Sequence, residues 1–209
     1  HTYTRNFEKP WDKRLFKAFK ITAIELCKKI QGAEMAYFQS DEISILVTDY
    51  ENFTTEAWFD NKLQKITSVS ASIATYAFNK FMDIYNYNLE TKKPALFDSR
   101  AFNLTKEEVC NYFIFRQQDA KRNSIQGLGQ VNFSHKELQN LSNSKIQDKL
   151  MLEKNINWNN CKAWQKRGAC IIKEHYTLNN NTRSRWILDN EIPIFKKKRN
   201  YINKYIYKD

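Results

Sequence analysis

The chain has 209 residues, 42% of them hydrophobic and 14% aromatic, enough to bury a core in one large domain or in a compact domain with an appendage. Lysine and arginine outnumber aspartate and glutamate by 34 to 23, and the resulting charge of +11 points to a polyanionic partner, nucleic acid first. Four scattered cysteines and three unclustered histidines argue against a zinc or disulfide framework, four glycines cannot write a Walker A loop or a GxGxxG fingerprint, and no apolar run reaches the roughly 18 residues of a membrane span.

The opening HTYTRNFEKP lacks the apolar stretch of a signal peptide, so a soluble, cytoplasmic protein is expected, and HTYT reads as the continuation of a strand lying before His1. From Pro10, the residues Leu15, Phe19, Ala23, Leu26 and Ile30 recur at helical spacing up to a stop at Gly32. Glu34 to Thr48 then sets two apolar strand-like runs around Gln39-Ser40-Asp41-Glu42, a hairpin presenting carboxylates without the Gly or Asn-Gly of the usual two-residue turn. Adjacent acids at the start of a mostly buried strand must be solvated, paired or bound to a cation. A hard divalent ion such as Mg²⁺ typically takes one or two carboxylates plus substrate phosphates, and a solvated tip is the alternative.

Thr54 or Thr55 is expected to cap a long helix reaching about Phe81, with Lys62 and Lys65 as a basic edge on its first half. Ala95 to Phe102 alternates like a strand, placing Asp98 and Arg100 on one face. Thr105 and Glu108 spell a capping box before a helix carrying Val109, Tyr112, Phe113 and Arg116 and ending in the polar cluster RQQDAKRNS. Ser134 and Glu137 spell a second box, followed by a helix near Leu138 and another from Ser144 to Lys154. Trp158 to Glu174 reads as a loop then a strand, paired to Arg183–Leu188 through a turn at Asn179–Asn181. With a strand before His1, the order is β-α-β-β-α-β, a ferredoxin-like α+β sheet with two helices on one face. The basic run Lys196-Lys-Lys-Arg199 suits counterion release from an RNA backbone or a solvated tail.

Four segments, HTYTRNFEKPWD, AYFQSDEISIL, KITSVSASIATYAF and FDSRAFNLTKEEVCNYFIFRQQDAKRNS, stand in this order over residues 1–124 and resemble successive motifs of the tRNA-His guanylyltransferase superfamily. The resemblance implies a polymerase palm-like catalytic domain over residues 1–130 and a smaller C-terminal helical and hairpin region over 131–209 that contributes to tRNA binding. It implies a nucleotidyltransferase that extends the 5′ end of tRNA in the 3′ to 5′ direction, commonly as a tetramer. Asp41 and Glu42 would join a two-Mg²⁺ site completed by an Asp-Gly-Arg strand before His1, with Ser40 donating to phosphate. Arg5, Lys9, Lys62 and Lys65 would hold triphosphate, and His1 and Asp12 would line the nucleotide pocket. Arg122, Asn123, Lys196, Lys197, Lys198 and Arg199 would contact tRNA.

In the implied reaction ATP adenylylates a 5′-monophosphate, and the 3′-hydroxyl of an incoming GTP or other nucleoside triphosphate then displaces AMP. Lys121-Arg-Asn-Ser-Ile-Gln126 departs from the His-Ile-Asn-Asn-Leu-Tyr-Asn stretch of the enzymes that act on tRNA-His. That departure favours the Thg1-like branch, which repairs 5′-truncated tRNAs against a template. Asp98, Arg100, Arg116, Gln117, Asp119 and Asn123 match motif positions whose roles stay open, and Asp98 with Arg100 or Arg116 suits an internal salt-bridge network as well as substrate contact. Two rivals stand beside this reading: a non-catalytic ferredoxin-like RNA-binding module, and a palm-like nucleotide cyclase.

Overall fold

In the computed structural model, residues 3–85, 87 and 93–207 are described, and His1 lies outside them. Helix α1 spans Lys13–Lys29, capped by Asp12, whose carboxylate accepts from the N–H groups of Arg14 and Leu15. Lys28 and Lys29 in its last turn complement the negative end of the helix dipole. The chain reverses at Gly32, with φ +75°, and a Cβ there would lie 2.3 Å from the carbonyl oxygen of Thr48, so only glycine fits.

Strands β1 (Ala33–Gln39) and β2 (Glu42–Val47) form the expected hairpin, with Gln39 opposite Glu42 and only Ser40 and Asp41 in the turn. The tight turn forms without glycine because Ser40 takes φ +51°. Helix α2 covers Leu63–Ile84 and starts later than expected. Neither Thr54 nor Thr55 caps it; a short 3-10 turn over Trp58–Asn61 intervenes, and Lys62 takes the cap position. Thr54 and Thr55 instead bond within their own loop, to Asn52.

Helix α3 runs over Lys106–Asn132, well past the polar cluster expected to end it. Gly129 does not stop the helix; a Cβ there would meet Ile146 Cγ2 at 2.9 Å, so the glycine lets the neighbouring helix approach. Thr105 is the cap residue of α3 but makes no capping bond, whereas the box of Ser134 and Glu137 closes at the start of α4 (His135–Leu138). The chain continues through α5 (Asn143–Lys154), α6 (Ala163–Arg167), β3 (Ala169–Leu178), β4 (Asn181–Asp189) and α7 (Asn200–Asn203). The β3–β4 turn uses Asn179 and Asn180, both at positive φ, as two-residue hairpins prefer.

The strands make one antiparallel sheet in the order β2-β1-β3-β4. Residue 130, the expected domain boundary, falls inside α3, and the β3–β4 hairpin completes the sheet begun by β1 and β2. Helices cover both faces rather than one. Ala36, Phe38, Ala169 and Ile171 pack with Ala18, Phe19, Ala23, Phe78 and Met82 of α1 and α2. On the opposite face Met35, Tyr37, Leu46 and Cys170 pack with Val109, Cys110 and Phe113 of α3 and with Ile202 of α7. The unbroken hydrophobicity of β1 is the signature of a strand buried on both sides.

The expected strand at Ala95–Phe102 is absent. Its backbone groups pair with helix side chains: Asn79 bonds both the N–H and the carbonyl of Ala95 at 2.8 Å, and Thr75 accepts from the Phe97 N–H at 3.2 Å. Phe97 enters the core against Phe19 and Phe78, and Leu96 is exposed, so the alternation is real but the partner is a helix. A third cluster joins α3 to α5 and Trp158 through Ile125, Leu128, Ile146 and Leu150.

Candidate active site

The hairpin tip carries Ser40, Asp41 and Glu42 on the surface. Asp41 has no hydrogen bond or ion pair with any described residue. Glu42 is held: its Oε2 accepts from Gln39 Nε2 at 3.0 Å and pairs with the guanidinium of Arg116, reaching over from α3. Arg116 also lies 3.8 Å from Asp119, one helical turn on, and Asp119 pairs in turn with Arg122 and accepts from Asn123 at 3.4 Å. Acid and base thus alternate from the hairpin tip along α3. Beneath this chain Tyr37 is buried, its hydroxyl donating to the Arg167 carbonyl at 2.8 Å, and burial pushes its pKa well up.

The two adjacent carboxylates suit a hard cation that completes its shell with phosphate oxygens. Among the described residues no group of three or more metal-ligating side chains converges. Oε1 of Glu42 makes no bond to any described residue and, with Asp41, is the oxygen available to a cation.

The other expected residues divide by position. α1 runs back along β1, with the Phe16 ring tilted against Phe38 at 5.5 Å between ring centroids, so its N-terminal end lies at the hairpin-tip end of the sheet. Arg5 and Lys9 lead into that end, where Lys9 Nζ donates to the Thr4 carbonyl at 2.8 Å. Asp12 is there too, as the buried cap of α1. Its burial raises the pKa, and Arg14 with the N–H groups of Glu8, Arg14 and Leu15 more than offsets this, leaving it below the ordinary value.

Lys62 and Lys65 stand at the other end of β2, where Asn61 bonds Asp49 at 3.1 Å. Six extended residues put about 20 Å between the two ends. Lys62 pairs with Asp60 at 3.0 Å and Lys65 lies over the Phe59 ring, so within one chain these lysines are not brought beside Asp41.

Of the expected tRNA contacts, Arg122 and Asn123 bind Asp119, while Lys196, Lys197 and Lys198 are exposed just before α7. Arg199 donates to Asn111 at 2.7 Å and, with Lys197, Lys198, Tyr201 and Lys204, lines a shallow surface cleft. Asp98 and Arg100 form a solvent-exposed pair at 3.4 Å. The tie from Arg116 to Glu42 was missed in the sequence, where Arg116, Asp119 and Arg122 at three-residue spacing on one helix face were the available signal.

Comparison with known proteins fits this arrangement. Residues 1–105 match the family model described as tRNAHis guanylyltransferase, Thg1. The chain is 52% identical to a bacterial tRNA(His) guanylyltransferase (Thg1)-like protein solved in complex with ATP, covering 100% of this chain and 86% of that one with a TM-score of 0.93. A second such bacterial structure, in complex with GTP, is 48% identical, with 99% and 84% covered and a TM-score of 0.85. A probable tRNA(His) guanylyltransferase of Dictyostelium discoideum is 27% identical over 187 residues, 83% of this chain and 71% of the relative. The α+β sheet, its acidic hairpin tip and these likenesses define a nucleotidyltransferase. More particularly, the chain belongs to the tRNA(His) guanylyltransferase, or Thg1, family.

Proposed function

We propose that this protein is a Mg²⁺-dependent nucleotidyltransferase that adds nucleotides to the 5′ end of tRNA, growing the strand 3′ to 5′ in template-dependent repair of 5′-truncated tRNA. The observation that carries the reading is the Asp41 carboxylate, which pairs with no described residue, next to Glu42 at the rim of a sheet, in a protein of charge +11. The two solved relatives complexed with ATP and with GTP support nucleotide substrates. The departure at Lys121–Gln126 supports the Thg1-like branch, and the absence of a helix long and apolar enough to cross a membrane, among the described residues, accords with a cytoplasmic tRNA enzyme.

Bound Mg²⁺, two ions in this reading, neutralises phosphate charge and aligns the attacking and leaving oxygens. Asp41 and Glu42 would supply part of its oxygen shell, the rest coming from the phosphates and the strand expected before His1. Ser40 offers a hydroxyl donor to a phosphate oxygen, and Arg5 and Lys9 line the same end of the sheet. In the first step an oxygen of the 5′-monophosphate attacks the α-phosphorus of ATP and pyrophosphate leaves. In the second, the 3′-hydroxyl of the incoming GTP or other triphosphate attacks the 5′-phosphate and AMP leaves. A 5′-triphosphate end skips the first step. Lys196, Lys197, Lys198, Arg199, Arg122 and Asn123 contact the RNA backbone, and Lys62 and Lys65 take phosphate away from Asp41, within a homotetramer.

The test is templated 5′ extension of a truncated tRNA with Mg²⁺, ATP and nucleoside triphosphates. Asp41→Asn lowers the rate by about 100-fold or more. Wild-type extension by that variant, or formation of cyclic nucleotide without RNA, would refute the assignment.

A further inference from the structure

We propose that Arg116 is a positioning residue for Glu42, fixing which carboxylate oxygen faces a divalent ion. This rests on the reading that Asp41 and Glu42 bind such an ion, and deepens it. Glu42 sits on an exposed hairpin tip, where a glutamate side chain ordinarily samples many rotamers. Here two donors from different elements take one of its oxygens: Gln39 Nε2 at 3.0 Å from β1 and the Arg116 guanidinium from α3. With Oε2 engaged twice, rotation about the last bond is restricted, and Oε1 is left without a hydrogen bond from any described residue.

Arg116 is itself fixed. It is only 17% exposed, Asp119 steers it from the next turn at 3.8 Å, and α3 is anchored beneath the sheet by Phe113 and Ile114. Asp119 also answers the obvious objection, that a guanidinium repels a cation. Glu42, Arg116, Asp119 and Arg122 together sum to zero charge, so with Asp41 this group of five carries one net negative charge. Ligating carboxylates are commonly oriented by partners of this kind, and losing one typically weakens metal binding about 10- to 100-fold.

The test is Mn²⁺ binding by the full-length protein, followed calorimetrically and by the signal of free Mn²⁺, without nucleotide or RNA. Arg116→Met weakens binding about 10-fold, and Arg116→Lys, which restores one donor and the charge, recovers part of it. The double variant Arg116→Met with Glu42→Gln binds no more weakly than Glu42→Gln alone, because Arg116 acts only through Glu42. Unchanged or tighter binding by Arg116→Met, or losses that multiply in the double variant, overturns the proposal. Circular dichroism checks the fold; if Arg116→Met is unfolded, Asp119→Asn is read by the same criteria, with a several-fold loss expected. Asp41→Asn separates the two claims: if it binds Mn²⁺ like wild type, the metal site itself is wrong, and if it alone loses binding, only the role of Arg116 fails.

Discussion

Gln117 of α3 clamps the chain at Phe195 from both sides of its amide: the carbonyl accepts from the Phe195 N–H at 2.9 Å, and Nε2 donates to the carbonyl of Pro193 at 2.9 Å. Both side chains are buried, and the Phe195 ring stacks on Tyr201 and meets the edge of Tyr37. The clamp therefore fixes the root of the basic run Lys196–Arg199, one helical step from the Arg116 that holds Glu42. The same stretch of α3 serves the hairpin tip and the proposed RNA-contacting tail.

Gln117→Leu keeps the volume but leaves the buried Phe195 N–H and the part-buried Pro193 carbonyl unpaired, costing up to about 1–3 kcal/mol each. A loss of about 2–4 kcal/mol in urea denaturation is expected. Because the damage is local to the tail, trypsin cleavage after Lys196–Lys198 should accelerate by about 10-fold or more before global unfolding. Stability equal to wild type would mean that the clamp carries no net energy.

Ser40 offers a test that separates folding from chemistry. It holds φ +51° in the two-residue turn, a region that costs a non-glycine residue about 1–2 kcal/mol. Ser40→Gly removes that cost at some expense in chain entropy, so a net gain of about 0.5–1 kcal/mol is expected in thermal unfolding. If the hydroxyl also serves a phosphate, the same variant extends tRNA more slowly while unfolding at a higher temperature. A drop in stability would show that Ser40 carries a structural bond in solution.

Much of this architecture is legible in the residue order because its signals are local. The period of Leu15, Phe19, Ala23 and Leu26 gives α1, the runs on either side of Ser40 and Asp41 give the hairpin, and the Asn179–Asn180 pair gives the β3–β4 turn. What the residue order hides most is a partner distant in sequence. Ala95–Phe102 alternates as a strand does, yet Asn79 and Thr75 on α2 take its backbone bonds. Pairing of β1 with β3 joins residues more than 130 positions apart, and no periodicity announces it. At the site, the adjacent acids are visible in QSDE, but the difference between Asp41 and Glu42 depends on a guanidinium from another element.

Asp12 carries a pH dependence that separates its capping role from a place in the nucleotide pocket. Its carboxylate caps α1, pairs with Arg14 at 2.7 Å and accepts from the Glu8 N–H at 3.0 Å, and its folded pKa is lowered despite burial. A carboxyl with a depressed folded pKa binds protons less readily when folded than when unfolded. It therefore contributes stability that is fully present above the unfolded value of about 4 and is lost as the pH falls below it through the folded value. Asp12→Asn keeps a capping oxygen but loses the charge. The expected outcome is a wild-type stability that falls as the pH drops below about 4, a variant less stable at neutral pH, and a difference between them that shrinks in acid. Asp12→Ala should cost about 1–2 kcal/mol at pH 7 through loss of the cap. Urea denaturation across this pH range, run beside binding of ATP at pH 7, decides the matter: a variant of unchanged stability that binds ATP poorly would return Asp12 to the nucleotide site.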